Sequence, residues 1–230
     1  MCRMIGFIST KSCNISPYID FLKNQAIHGK GAPHPDGWGM SCYDRNDLLI
    51  KKSSDPIWKT GTISVDASAA IIHARKASFG KANLLFSHPF IFEKKGKIWS
   101  FAHNGTIYNL SGKKEKNEID TQFYAKRFIE NLKQDPVRSV ENTIRELVEI
   151  SENKFTSMNA IISSGEILLG VRYVKEDEDG YHTLFYFEED DRISISTEPL
   201  DSRWVSLKSG EFVMATVNSR VEFVKGTIKV

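Results

Sequence analysis

Cysteine is scarce in this chain: there are three in 230 residues, Cys2, Cys13 and Cys42, with no CxxC spacing. So few and so scattered thiols fit neither a disulfide framework nor a cysteine-based zinc site. An excess of charge of one sign is missing too, since 31 Lys and Arg face 29 Asp and Glu. That balance leaves no basic stripe for nucleic acid. The densest basic stretch, Lys94-Lys95-Gly96-Lys97, lies between apolar runs and reads as a solvated hairpin turn. No apolar run approaches the roughly 20 residues that span a bilayer, and the one after Met1 is too short for a signal peptide. These absences lead to the expectation of a cytoplasmic protein with no nucleic-acid and no membrane partner. No Gly-rich phosphate loop opens a helix, so no cofactor is expected. The six histidines form no HExxH or His-x-His pair, so no metal site is expected either.

What is present is globular composition, with 40% hydrophobic and 26% charged residues, enough chain for a real core. Arg3–Ile8 reads as a buried strand. Ser16 is expected to cap a helix with Pro17 in its first turn, running to His28. A Gly/Pro/His-rich loop follows to Gly39, then strands over Met40–Tyr43, Leu48–Lys51, Ala69–Ala74 and Ile98–Ala102. Helical spacing sets Phe123, Tyr124, Phe128, Ile129 and Leu132 on one side of a helix over 121–132. Asp135-Pro136 opens a second helix carrying Val137, Val140, Ile144, Leu147 and Val148. The last third reads as strands at Asn159–Ser163, Ile167–Arg172, His182–Phe187, Arg192–Ser196, Phe212–Thr216 and Val221–Val224, with a turn over the acidic run 176–180. Strands, then helices, then strands indicate an α+β fold with antiparallel sheets.

Four segments could carry chemistry. Cys2 follows a methionine that aminopeptidase removes when the next residue is small. The mature chain would then present a thiol beside its own α-amine, a base of pKa about 7.7–8.0. An idle terminal cysteine is the alternative, weakened by the strand that would anchor it. His103-Asn104-Gly105 sets an amide side chain beside a flexible N–H, two donors for one oxyanion, or else a simple Asn-Gly turn. Arg75, ending a buried strand, could grip a carboxylate bidentately or pair with an internal acid. Asp120 sits at a helix N-cap and could also bind an ammonium group.

Taken together these segments resemble the class II glutamine amidotransferases, which are N-terminal-nucleophile (Ntn) hydrolases. The match runs from Met1-Cys2-Arg3-Met4-Ile5-Gly6 through His34-Pro35-Asp36-Gly37-Trp38-Gly39, His73-Ala74-Arg75-Lys76-Ala77-Ser78, Asn83 and Ser87-His88-Pro89-Phe90. It continues with His103-Asn104-Gly105, Asp120-Thr121, and the closing Ser196-Thr197-Glu198-Pro199-Leu200-Asp201 with Trp204 and Gly210. The loop before Gly39 and the absence of a synthase domain look most like the stand-alone YafJ-like branch.

The resemblance implies a four-layer αββα Ntn sandwich, a single domain over 1–230, and a mature chain starting at Cys2. It implies Cys2 as nucleophile, Asn104 and Gly105 as oxyanion hole, and Arg75, Ser78 and Asp120 as holders of the glutamine α-carboxylate and α-ammonium. The implied activity is hydrolysis of the glutamine side-chain amide, with ammonia passed to a separate synthase subunit or another acceptor. A γ-glutamyl amide or peptide hydrolase, and a non-catalytic binding module of the same fold, are the alternatives. Lys76, where the family often has an aromatic, and Phe79, where some members have His, depart from the pattern. His73, His88 and His103 are expected as hydrogen-bonded supports, and Cys13, Cys42 and Trp38, Trp58, Trp99 and Trp204 as core or pocket wall.

Overall fold

A computed structural model describes residues 2–45, 47–78, 82–133, 135–176 and 180–230. Most of the acidic run expected as a turn, together with Met1 and Phe79, lies outside the described residues. Among the described residues the chain forms two antiparallel sheets, of seven and six strands, and three α-helices.

The first sheet is built around β1 (Arg3–Asn14), which pairs with β4 (Asp66–Ala74) on one side and β10 (Arg192–Ser196) on the other. Beyond β4 lie β2 (Trp38–Asp44) and β3 (Asp47–Ser53); beyond β10 lie β9 (Phe185–Glu189) and the short β11 (Val205–Ser206). The second sheet runs β13 (Val221–Thr227), β12 (Glu211–Val217), β8 (Ile167–Val171), β7 (Asn159–Ser163), β6 (Lys97–Asn104), β5 (Phe90–Lys94). The basic stretch is indeed the β5–β6 turn, with Lys95 and Gly96 at positive φ.

Three apolar layers make this a four-layer αββα sandwich. Alternation along β1 sends Ile5 and Phe7 to one face and Met4 and Ile8 to the other. The first pair packs with Ile19, Leu22 and Ala26 of α1 (Ser16–His28), whose spacing makes one helical stripe. The second pair packs between the sheets against Ile161, Leu168 and Ile195. Gly6 permits that approach, since a Cβ there would stand 2.8 Å from an Ile161 methyl. On the far side α2 (Asp120–Asn131) and α3 (Pro136–Ile150) cover the second sheet through Phe123, Phe128, Ile144 and Leu147, against Phe101 and Ile162. All these side chains are buried, and truncating one such as Leu22 to Ala is worth about 2–5 kcal/mol.

Three local expectations change. The N-cap of α1 is Ile15, not Ser16; the Asn14 side chain instead accepts from Ser16 N at 2.9 Å. The N-cap of α2 is Ile119, and Asp120 is its first helical residue. The strand read from His182 starts at Phe185, because the His182 carbonyl is taken by the Asn159 amide at 2.7 Å and Arg172 Nε at 3.0 Å. Asp135 does cap α3, accepting from Val137 N and Arg138 N. No helix among the described residues is long and apolar enough to cross a membrane.

Candidate active site

The ends of four elements, β1, β4, β6 and α2, meet at the site. Antiparallel register sets Arg3 opposite Ala74, so Cys2, just before β1, lies beside the segment that leaves β4. The end of β6 brings Asn104 from the other sheet, and the first turn of α2 brings Asp120. Cys2 Sγ stands 3.5 Å from the Lys76 N–H, which donates to it. Cys2 N donates to Asn104 Oδ1 at 2.9 Å. That bond fixes the amide so that Asn104 Nδ2 is buried with no hydrogen-bond partner among the described residues. A buried donor left unused is costly unless something else accepts from it.

A cavity of about 390 Å³ opens here, lined by Cys2, Arg75, Ser78, Gly105 and Asp120 among others. Asn104 is fully buried and is not among the lining residues, and none of the four tryptophans lines it. Arg75 is 5% exposed; its main chain is held by Gly37 O and Asp36 N. Asp36 Oδ2 accepts from Ala77 N at 2.8 Å, so the His34–Gly39 loop braces the segment carrying Arg75. Asp120 accepts from Ile107 N and from Thr121 N, both at 2.9 Å, which holds its carboxylate at the cavity wall. Ser78 is exposed at the rim, where its Oγ accepts from Thr106 Oγ1 at 2.9 Å.

Burial pushes the Cys2 thiol above its ordinary range, opposed by the Lys76 N–H and the charges of Arg75 and Arg3. Burial likewise pushes His34 down to about 4 and His73 and His88 well below the usual range. The His73 and His88 rings meet at a tilt of 45°, centroids 4.1 Å apart. Of the three histidines expected as hydrogen-bonded supports, His103 is one, its Nε2 3.0 Å from Ser157 O and its Nδ1 2.9 Å from Thr121 Oγ1, whereas neither ring nitrogen of His73 has a hydrogen-bond partner among the described residues. Since a carbonyl only accepts, Nε2 carries the proton and Nδ1 accepts from Thr121. Among the described residues no group of three His, Cys, Asp or Glu is arranged to hold a metal.

The structure brings Cys2, Arg75, Ser78, Gly105 and Asp120 to one cavity, with Asn104 bonded to Cys2 N, while Phe79 lies outside the described residues. It adds two contributors to which sequence reasoning gave no role at the site. Ser157 Oγ donates to the Asn104 carbonyl, and Ser157 O fills the space that a Cβ on Gly105 would need, at 1.9 Å. Arg3, fully buried, places Nε 2.7 Å from Glu198 Oε1 and donates from Nη1 to Cys2 O at 3.1 Å. Both Arg3 and Glu198 stood within quoted motifs, yet their pairing joins opposite ends of the chain.

Residues 1–177 match the profile of the family described as Glutamine amidotransferases class-II. A Haemophilus influenzae protein provisionally named a glutamine amidotransferase is 25% identical over 264 residues, covering 100% of this chain and 89% of its own. The glutamine phosphoribosylpyrophosphate amidotransferase of B. subtilis superposes with a TM-score of 0.71 at 14% identity, over 99% of this chain and 49% of that one. The chain thus spans about half the length of that solved enzyme. A class-II domain protein of Silicibacter pomeroyi aligns over 100% of both chains, with a TM-score of 0.68 and 16% identity. The Ntn-hydrolase sandwich expected from the resemblance is therefore the observed fold.

Proposed function

The chain belongs to the class-II glutamine amidotransferases, and on that premise we propose that it hydrolyses the side-chain amide of glutamine through a thioester on Cys2. The observation that carries this reading is the bond from Cys2 N to Asn104 Oδ1 beside a buried, unpartnered Asn104 Nδ2. Nucleophile and oxyanion donor are held by one contact. Removal of Met1 would leave the Cys2 nitrogen in place as a free α-amine, able to take the thiol proton.

The steps follow from the placement. Arg75 grips the α-carboxylate of glutamine, with Ser78 beside it, and Asp120 takes the α-ammonium. The amine accepts the thiol proton as Sγ attacks the amide carbon. The developing oxyanion is met by Asn104 Nδ2 and the Gly105 N–H; one such donor is worth about 2.7–4 kcal/mol of barrier. The C–N bond then breaks, the amine returns its proton to the departing nitrogen, and ammonia leaves. Water, deprotonated by the same amine, cleaves the thioester to glutamate. Charge recognition at both α-groups selects glutamine over simple amides, because an analogue lacking either group forfeits a charge-assisted contact to Arg75 or Asp120.

We propose one catalytic domain over the chain, with ammonia passed to a separate synthase subunit or another acceptor. The cavity volume favours a second reading beside it, hydrolysis of larger γ-glutamyl amides, since about 390 Å³ is within the range that holds drug-sized ligands. One assay addresses both: ammonia or amine release from glutamine and a panel of γ-glutamyl amides. Cys2→Ala should abolish release and thioester formation. Retained turnover in that variant, or a mature mass that still includes Met1, overturns the mechanism.

A further inference from the structure

Resting on the glutaminase reading above, we infer that Ser157, steadied by His103, is the positioning residue that aims the Gly105 N–H at the oxyanion. The segment 104–107 does not hold itself. It is laid along 155–157 by a ladder: Thr106 N donates to Thr156 Oγ1 at 3.0 Å, Thr156 N to Thr106 O at 2.9 Å, and Ile107 bridges Phe155. At the end of that ladder Ser157 Oγ–H donates to the Asn104 carbonyl. The Asn104–Gly105 peptide is trans, so its C=O and N–H point opposite ways. A hydroxyl that fixes the carbonyl on one side therefore fixes the Gly105 N–H on the other, toward the cavity that Gly105 lines.

Ser157 is itself held. It is fully buried, and its carbonyl accepts from His103 Nε2 at 3.0 Å. The other His103 nitrogen accepts from Thr121 Oγ1 at 2.9 Å, which keeps the proton on Nε2. Thr121 follows Asp120, whose carboxylate faces the substrate ammonium in the proposed binding mode. A single chain of hydrogen bonds, Thr121 to His103 to Ser157 to Asn104, thus ties the α-group end of the site to its oxyanion end. The Ser157 carbonyl also explains the glycine, since a Cβ at 105 would stand 1.9 Å from it.

This arrangement acts on the tetrahedral state and leaves ground-state binding alone, because the Gly105 N–H gains its full partner only when the oxygen becomes an oxyanion. Ser157→Ala should lower kcat by about 10- to 100-fold, short of the loss for deleting a donor outright, with the KM for glutamine within about twofold of wild type. The decisive readout is a pair of inhibition constants. Glutamate γ-semialdehyde takes the thiolate at its aldehyde carbon and so presents a tetrahedral oxyanion; glutamate does not. The ratio of their inhibition constants should shift against the aldehyde by about the kcat factor, whatever fraction of the protein is folded. An unchanged ratio overturns the inference. Should Ser157→Ala fail to fold, Thr121→Val removes only the hydroxyl at the far end of the chain, and an unchanged ratio there overturns it equally. Wild-type protein inert toward glutamine and all γ-glutamyl amides would instead sink the glutaminase reading, so the two failures are separable.

Discussion

Cys2 and Asn104 stand 102 residues apart in sequence, one leading into a strand of the first sheet and the other ending a strand of the second, yet Cys2 N donates to Asn104 Oδ1 at 2.9 Å. The sandwich thereby presents the thiol and the carboxamide as one unit. Asn104→Asp keeps an acceptor for Cys2 N, removes the Nδ2 donor and sets a negative charge where the oxyanion would form. In an ammonia-release assay its kcat should fall by about 10²–10³, with little change in the KM for glutamine. A variant with near wild-type kcat would exclude Asn104 from the oxyanion hole.

Asp120 accepts one main-chain N–H on each carboxylate oxygen and borders the cavity. Asp120→Asn should raise the KM for glutamine by about tenfold or more, since a charge-assisted hydrogen bond is roughly twice as strong as a neutral one. Glutaramate, which lacks the α-ammonium, should be turned over equally by wild type and variant. Equal losses on both substrates would assign Asp120 to holding the loop at Ile107.

Much of this was legible in the sequence, and the boundary is physical. Asn159–Ser163 and Arg192–Ser196 are strands with the bounds that their composition suggests, and α3 begins at the Asp135-Pro136 signal. Those features are encoded locally, in β-branched runs and capping chemistry. Cys2, Arg75, Asn104, Gly105 and Asp120 were each visible because they sit in motifs at element ends. Sheet order was not, since it depends on pairings such as β1 with β10 from opposite ends of the chain. Ser157 was silent for the same reason: nothing in Phe155-Thr156-Ser157 announces that it will cradle Asn104-Gly105. Ser16 and Asp120 are each the first helical residue, and the cap position falls on Ile15 and Ile119, whose apolar side chains give no capping signal.

His34 is fully buried, and its Nδ1–H donates to Ala26 O at 3.3 Å. Burial, with the Arg3 charge, pushes it down to about 4. Between the ordinary histidine range near 6.5 and that value the unfolded chain binds the proton and the folded one does not. Stability is therefore present above about pH 6.5 and declines as pH falls toward 4, by about 3 kcal/mol for this group alone. His73 and His88, displaced the same way, add to the slope. Thermal melts from pH 7 to 4.5 should show a falling Tm, and His34→Asn, which keeps a donor near Ala26 O without a titrating ring, should flatten part of it. A Tm independent of pH across that window would contradict the assignment of neutral, buried imidazoles.

The N-terminal strand is held by Arg3. Its Nε lies 2.7 Å from Glu198 Oε1, its Nη1 donates to Cys2 O, its Nη2 donates to Lys30 O, and its guanidinium lies 5.3 Å from the Tyr181 ring centre. Glu198→Gln leaves the fully buried guanidinium without its counter-charge. Breaking a buried pair costs about 3–5 kcal/mol, but the Glu198 side chain is 24% exposed, so water restores part of the loss. A destabilisation of about 2 kcal/mol is expected, equivalent to a Tm lower by about 4–8 °C in a chain of this size. Because Arg3 also fixes the Cys2 carbonyl, kcat should fall more steeply with temperature in the variant, well below its unfolding midpoint. If Tm drops while kcat keeps its wild-type temperature dependence, the pair stabilises the fold without setting the nucleophile. An unchanged Tm would mean that solvent on the open side of Glu198 already screens the pair.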